Sequence, residues 1–333
     1  MNITIPYYED NSRVSNSSLG WFLASPRYFK DMIDGKEVFT ATKAMENGTM
    51  THMYLLQPDE FKKTYKILNF ETPTSPQQKK FCQEYIASIA PTAILKASEA
   101  FKDSYSTNGR PEEEIGKKGL EMALKLKSYI KWLRAGGNSG TTITWSALNS
   151  LKKTKENVQL HKKASELLFN NGNSPKFEAH NEFHINWDIT LKSGNTIQCK
   201  SLIDRLIIDH ENKIVKLVDI KTTADVNAFA KSFNEYDYGR QMAFYWAAIY
   251  WYFTNELHID IFDYKHETNI VAIQNNGNCA CRVFSVPDSV ITNKSEQILQ
   301  ILAEIDWHNS QNMWDYTREY YEGDGVESLL NEY

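Results

Sequence analysis

The hydrophobic rhythm of the chain changes about half way along. Up to residue 170, apolar positions recur every three to four residues, the spacing of helices with one buried face. LGWFLASPRYFKDMIDGKE (19–37) reads as helix punctuated by Pro26 and stopped by Gly35. ATKAMENGTMTHMYLLQPDEF (41–61) predicts a helix ending before Pro58 and then another. SPQQKKFCQEYIASIAPTAILKASEAFKDSY (75–105) predicts helix interrupted at Pro91. PEEEIGKKGLEMALKLKSYIKWLRAGG (111–137) has the strongest helix signature, with Pro and acids first, bases and Gly136 last. A basic helical stretch then runs to about Asn170, where NNGNSP breaks it.

Beyond that break the period becomes two. EFHINWDITL (182–191), TIQCKSLIDRLIID (196–209) and KIVKLVDIKTT (213–223) read as successive strands. A helix follows over 235–257. IDIFDYKHE (259–267), NIVAIQNNG (269–277) and CRVFSVP (281–287) read as three more strands, and Pro287 opens a last helix. The order predicts an α/β core with a large helical N-terminal addition. It is read as one domain: a mainly helical part over 1–172, a core over 173–290, and a C-terminal helix with an acidic tail over 291–333.

Composition supports a globular chain, with 41% hydrophobic and 24% charged residues. No apolar run approaches the ~18 residues of a membrane span. The N-terminus lacks a basic region followed by an apolar one, so no secretory signal is read there. Four cysteines, Cys82, Cys199, Cys279 and Cys281, form no CxxC pair and fit reduced thiols in the cytoplasm. Cys279 and Cys281 could bind metal, but they lack further ligands in sequence.

Net charge is −5, yet it is unevenly placed. Residues 117–163 carry eleven Lys/Arg against two acids, and 304–333 carry eight acids against one Arg. A segregated basic stretch is the footprint of a phosphate-binding groove, or a solvated helical face. Lys152, Lys153, Lys155, Lys162 and Lys163 are the candidates for nucleic-acid contact.

One hairpin breaks its own pattern. LIDRLIIDHENKIVKLVDIKTT (202–223) sets Asp204 and Asp219 among Leu, Ile and Val, where burial of an acid is costly unless it is paired. With the turn centred between Glu211 and Asn212, the two acids lie directly opposite and point to one face. Unit charges about 4 Å apart repel by roughly 4 kcal/mol at an effective dielectric of about 20. A divalent cation between them removes that penalty. Lys221 shares the face of Asp219, placed to hold a nucleophilic water, and the Ile220 carbonyl can add an oxygen ligand. Such ligands suit Mg²⁺ or Mn²⁺. An ordinary surface hairpin with ion pairs is the competing reading. Glu182, on the preceding strand, is a third carboxylate or an edge acid. Gln241 and Tyr245 share one face of the following helix. His52 stands far upstream, as a ligand or a structural histidine.

Together, AMENGTMTHMYLLQPDEF around His52, CKSLIDR around Asp204, VDIKTTADV around Asp219 and Lys221, and RQMAFY with Gln241 and Tyr245 resemble the PD-(D/E)xK nuclease superfamily. The likeness is to its RecE-type (exodeoxyribonuclease VIII-like) branch, related to RecB nuclease domains. It implies a restriction-endonuclease-like core, a mixed sheet flanked by helices. It implies that His52, Asp204, Asp219 and the Ile220 carbonyl hold one or two divalent ions. Lys221 would activate water, Gln241 and Tyr245 would organise substrate, and Glu182 would act near the metals. The activity implied is 5′–3′ exonuclease action on linear duplex DNA, in phage-type recombination or DNA processing. A single-strand annealing protein is the partner implied; a homo-oligomer fits the likeness, though no sequence feature speaks for one. The clustered cysteines of iron–sulfur relatives are missing, so no cluster is expected. No G-x4-GK[ST] motor motif occurs. A nucleic-acid-binding protein that keeps the fold without cleaving is the alternative.

Overall fold

A computed structural model describes residues 7–137 and 141–327. The first six residues and the end of the acidic tail, 328–333, lie outside the described residues. Two compact units form, Met1–Gln57 with Lys153–Tyr333, and Pro58–Lys152. Described residues 7–57 and 153–172 fall in the same unit as the sheet. The first unit begins with α1 (Asn16–Ala24), α2 (Pro26–Ile33) and α3 (Lys43–Leu56). Ser25 caps α2 through the Tyr28 N–H, and Pro26 follows at the first helical position, so the expected punctuation is a cap.

The second unit holds α4 (Pro58–Thr64), β1 (Tyr65–Leu68), α5 (Pro76–Ala87), α6 (Ala93–Ser104), α7 (Glu112–Lys125), α8 (Lys127–Arg134), β2 (Thr141–Thr144) and the start of α9 (Trp145–Leu160). Its core gathers Phe81, Ala97, Phe101, Ile115, Ala123, Leu126 and Ile130. Gly119 lets α7 lie against α6, because a Cβ there would meet the Ala97 carbonyl at 2.3 Å. Two expectations fail here. The single helix over 111–137 breaks at Leu126 (φ −95°, ψ 15°), which is buried with Ile130. No Gly or Pro marks that break; packing makes it. The helical half also contains β1 and β2, paired in parallel through Ile67 and Ile143. That pairing joins segments far apart in sequence, so no local turn announces it.

The chain returns to the first unit with α10 (Lys162–Phe169), β3 (Phe177–Thr190), β4 (Thr196–Asp209), β5 (Ile214–Thr223), α11 (Phe229–Glu235), α12 (Tyr238–Tyr252), β6 (Lys265–Gln274), β7 (Cys281–Ser285), α13 (Asp288–Gln311) and α14 (Arg318–Glu322). The sheet order is β3-β4-β5-β6-β7. All neighbours are antiparallel except β5 and β6, whose parallel pairing needs the crossover that α11 and α12 supply. One face buries Leu206, Leu217, Ile270 and Ala272 against Phe244, Ile249 and Leu302 of α12 and α13. The other buries Val218, Ile220, Val271 and Ile273 against Leu55, Leu56, Val158 and Leu167. Covered on both faces, β5 reads as a nearly unbroken apolar run, which is why its acid stands out. The fold is α/β, a mixed sheet with helices on both sides.

The two strands expected at 259–267 and 269–277 are a single strand, β6, preceded by a 3-10 turn at Ile261–Asp263. Asn269 mimics a turn signal but is buried in the strand beside Thr268, whose hydroxyl accepts from the Trp246 indole at 2.7 Å. Among the described residues, no helix is long and apolar enough to cross a membrane.

Candidate active site

Register aligns the acids. The β4–β5 ladder runs from Asp209↔Ile214 to Arg205↔Val218 and stops one step short of the acids; the same register continued by one residue sets Asp204 opposite Asp219. Asp209 fixes that turn by accepting from the N–H groups of Glu211 and Asn212. On the other side, β3 pairs with β4 at Asn181↔Arg205 and Phe183↔Ile203, which sets Glu182 opposite Asp204. Three carboxylates therefore stand in a row across three adjacent strands.

The sheet forks at this row. Pairing of β5 with β4 ends at Arg205↔Val218, and the Ile220 N–H donates instead to the Asp204 carboxylate at 2.7 Å. Both polar groups of a strand residue face the same edge, so the Ile220 carbonyl is turned the same way. Further back along β4, Val14 of the N-terminal segment takes the vacated edge. Its N–H donates to the Gln198 carbonyl at 2.9 Å, and its carbonyl accepts from Lys200 N at 2.8 Å. Glu182 has φ +49°, a left-handed backbone that a non-glycine residue adopts at a cost of about 1–3 kcal/mol. The strain sits at the middle acid-bearing point of β3, where the ladder skips one pair.

His52 closes the cluster from α3. Its Nδ1 lies 3.4 Å from Asp204 Oδ2. Ligand atoms of His52, Glu182 and Asp204 all lie within 4.8 Å of one another. Donors about 2.1 Å from a Mg²⁺ span up to about 4.2 Å across an octahedron, so a small closure brings all three into one shell. Asp219 stands outside that trio. It is fully buried, one oxygen is in contact with the Lys221 ammonium, and among the described residues Oδ1 has no hydrogen-bond partner. A buried carboxylate oxygen left bare is costly, and it is an opening for a cation. One imidazole, three carboxylates and a carbonyl form a donor set that fits a hard divalent ion.

Electrostatics follow from the crowding. Burial, joined by the Asp204 charge, pushes the Glu182 carboxyl up to about 7. Burial also pushes Asp219 up to about 6, with Asp204 adding and Lys221 opposing. Asp204 goes the other way: burial would raise it, but His52, Lys221 and the Ile220 N–H outweigh burial and hold it below the usual range. Burial would lower His52, yet Asp204 keeps it above its ordinary value. The Lys221 ammonium also faces the Tyr238 ring, 4.9 Å from its centroid. Gln241 donates to the Tyr245 hydroxyl at 2.8 Å on α12. Burial, then the Asp204 and Asp219 charges, raise Tyr245 well above the ordinary tyrosine value.

Several residues that position this site carry no motif. Arg205, 1% exposed, donates to the Leu167 and Asn170 carbonyls at the end of α10 and to the Asn171 and Asn181 side chains. Asn181 in turn donates to the Leu56 carbonyl at the C-terminus of α3, at 2.8 Å. One buried cation thus ties β4 to two helices, including the one that carries His52. Lys200 anchors the Tyr7 and Asp10 carbonyls. Desolvation of its hydroxyl, then the Glu182 and Asp204 charges, raise Tyr8 above the ordinary tyrosine value. Only an arginine beside the first acid hinted at any of this.

The basic candidates are dispersed. Lys152 falls in the second unit and the other four in the first. Lys152 covers the Trp145 ring at 4.9 Å. Lys153 donates to the Gly277 carbonyl, Lys155 lies 6.0 Å from the Tyr54 and Phe169 rings, and Lys163 pairs with Glu166. Lys162 is exposed.

A strained, forked sheet thus carries a row of acids and a lysine at the fork, a donor set that could hold a metal ion. The chain is similar in structure to a provisionally named exonuclease from Eubacterium rectale, with a TM-score of 0.51 at 10% identity, over 99% of this chain and 97% of that one. That likeness is to the fold, a restriction-endonuclease-like core. No family model and no curated protein matches the chain.

Proposed function

We propose that the chain is a divalent-metal-dependent deoxyribonuclease of the RecE-type branch, acting as an exonuclease from the 5′ end of linear duplex DNA. The observation that carries this reading is the alignment of Glu182, Asp204 and Asp219 across three strands, with Lys221 on the same side and His52 above. His52, Glu182 and Asp204 would hold the ion, with Asp219 and the Ile220 carbonyl as further oxygen donors beside them. A bound ion would supply Lewis acidity there, lowering the pKa of water and offsetting charge on the phosphoryl oxygens. Lys221 orients that water and is itself kept charged by Asp219. A P–O bond forms to the water oxygen as that water loses a proton to bulk solvent, the P–O3′ bond breaks, and the departing O3′ takes a proton from solvent. Gln241 and Tyr245, already bonded to each other, present one polar edge to the scissile strand. A single-strand annealing protein is the partner that such a product would call for.

The experiment compares end-labelled linear and circular duplexes with Mg²⁺ or Mn²⁺, wild type against Asp219→Ala. Expected is loss of the 5′ label from linear DNA by the wild type alone. Degradation that survives Asp219→Ala would refute the catalytic assignment. DNA binding without any cleavage would favour the silent, nucleic-acid-binding alternative.

A further inference from the structure

The second unit has a cleft of its own, lined by none of the residues assigned above to metal or to chemistry. Its volume is about 520 Å³, within the roughly 300–1,000 Å³ of small-ligand sites. Trp145, the first residue of α9, and Phe70 supply its aromatic surface, and Trp145 is half exposed. Asn69, Gln78, Glu71 and Lys125 bring donors and acceptors to its rim. Among the described residues neither Lys125 nor Lys152 has a carboxylate within ion-pairing reach. The Lys152 ammonium lies over the indole of Trp145, 4.9 Å from the ring centroid.

Charge points to the occupant. Residues 58–152 carry fifteen Lys/Arg against ten acids, a net of +5 in a chain whose total is −5. A basic surface with a half-exposed indole and amide side chains beside it is how proteins grip unpaired bases. Every base has a π-face for the ring, while ammonium groups meet the phosphates. A duplex keeps its bases stacked away from such a cleft, and an acidic peptide would need more cations at its edge than Lys125 and Lys152.

We infer that this cleft binds an unpaired nucleobase of a single-stranded DNA segment, stacked on Trp145, with flanking phosphates on Lys125 and Lys152. The inference deepens the nuclease reading and rests on it only for the choice of polymer.

The test uses the full chain in chelator, so that binding is read without cleavage, and a fluorescein-labelled oligothymidylate. Trp145→Leu should weaken binding about tenfold, and Trp145→Phe should restore most of it. An abasic oligomer of equal length should bind the wild type as weakly as oligothymidylate binds Trp145→Leu. Lys125→Gln, an exposed change that leaves the fold alone, should flatten the salt dependence by about 0.7 in log–log slope. Equal affinity of Trp145→Leu and wild type, or of abasic and base-bearing strands, would overturn the inference. The cleavage assay separates the two readings. Trp145-dependent binding by a wild type that cuts no DNA keeps the cleft and removes the nuclease. Cleavage with Trp145-independent binding does the reverse.

Discussion

The acid row and the basic run were both conspicuous in sequence, and folding treated them in opposite ways. Glu182, Asp204 and Asp219 are spread over thirty-eight positions, yet strand register puts them side by side. The lysines between 152 and 163 are neighbours in sequence, yet they part between two units, and most are engaged by rings, a carbonyl or a glutamate. A strand pair carries a whole set of side chains to a defined face, whereas a helix turns successive charges about 100° apart. Sequence proximity of charges therefore says less about a site than register does.

The comparison breaks most visibly if the acid row is not the centre of the chemistry. Asp204→Ala, Asp219→Ala or Lys221→Ala should each cut hydrolysis of end-labelled duplex at least about 10³-fold. Single neutralisation of Lys153 or Lys162 should change the same rate less than about threefold. A lysine of the basic run that matters as much as Asp219 would invert the argument.

A second contrast is between cations. Arg205 is buried with four partners, and burial lowers its guanidinium to about 10. Arg205→Met leaves the end of α10 without its donor and Asn181, which caps α3, without its partner, and should cost about 3–5 kcal/mol in urea unfolding. Lys153→Ala should cost less than about 0.5 kcal/mol. Arg205→Met should also weaken Mg²⁺ binding, since it loosens the helix that carries His52.

Proton competition sharpens the picture further. Glu182 is raised from 4.5 to about 7 in the folded chain, so the native state holds its proton more tightly than the unfolded one. Its contribution to stability is fully present below pH 4.5, falls as pH climbs to about 7, and is flat above that. Asp219, raised from 3.8 to about 6, acts in the same direction over a lower window. A divalent ion must displace those protons. The gain in Tm on adding Mg²⁺ should therefore be larger above pH 7 than at pH 5, and chelator should abolish it. An equal gain at both would remove Glu182 from the ion's shell.

The smallest effect concerns the dispersed lysines. Replacing Lys152, Lys153 and Lys155 together by Ala should lower the log–log salt slope of duplex binding by about 0.9 for each that meets a phosphate. Filter binding across a salt series reads it directly. No change would leave the basic run as a solvated face.

Much of the site could be read without coordinates. The β4–β5 register was read by centring the turn between Glu211 and Asn212, and Asp209 and Lys213 (φ +52°) form that turn. Asp204, Asp219, Lys221 and the Gln241–Tyr245 pair are local in that sense, because strand and helix periods fix their faces. Tertiary structure decided the rest. That His52 approaches Asp204 depends on the packing of Leu55 and Leu56 under β5 and on the Arg205–Asn181 link. The left-handed turn at Glu182, the fork between β4 and β5, the seat of Val14 in it, and the β1–β2 pairing all join distant segments. Local pattern sets which face a residue takes. Which element covers that face is settled by the collective burial of apolar surface and the need to pair every buried polar group, and neither is written in any short stretch of chain.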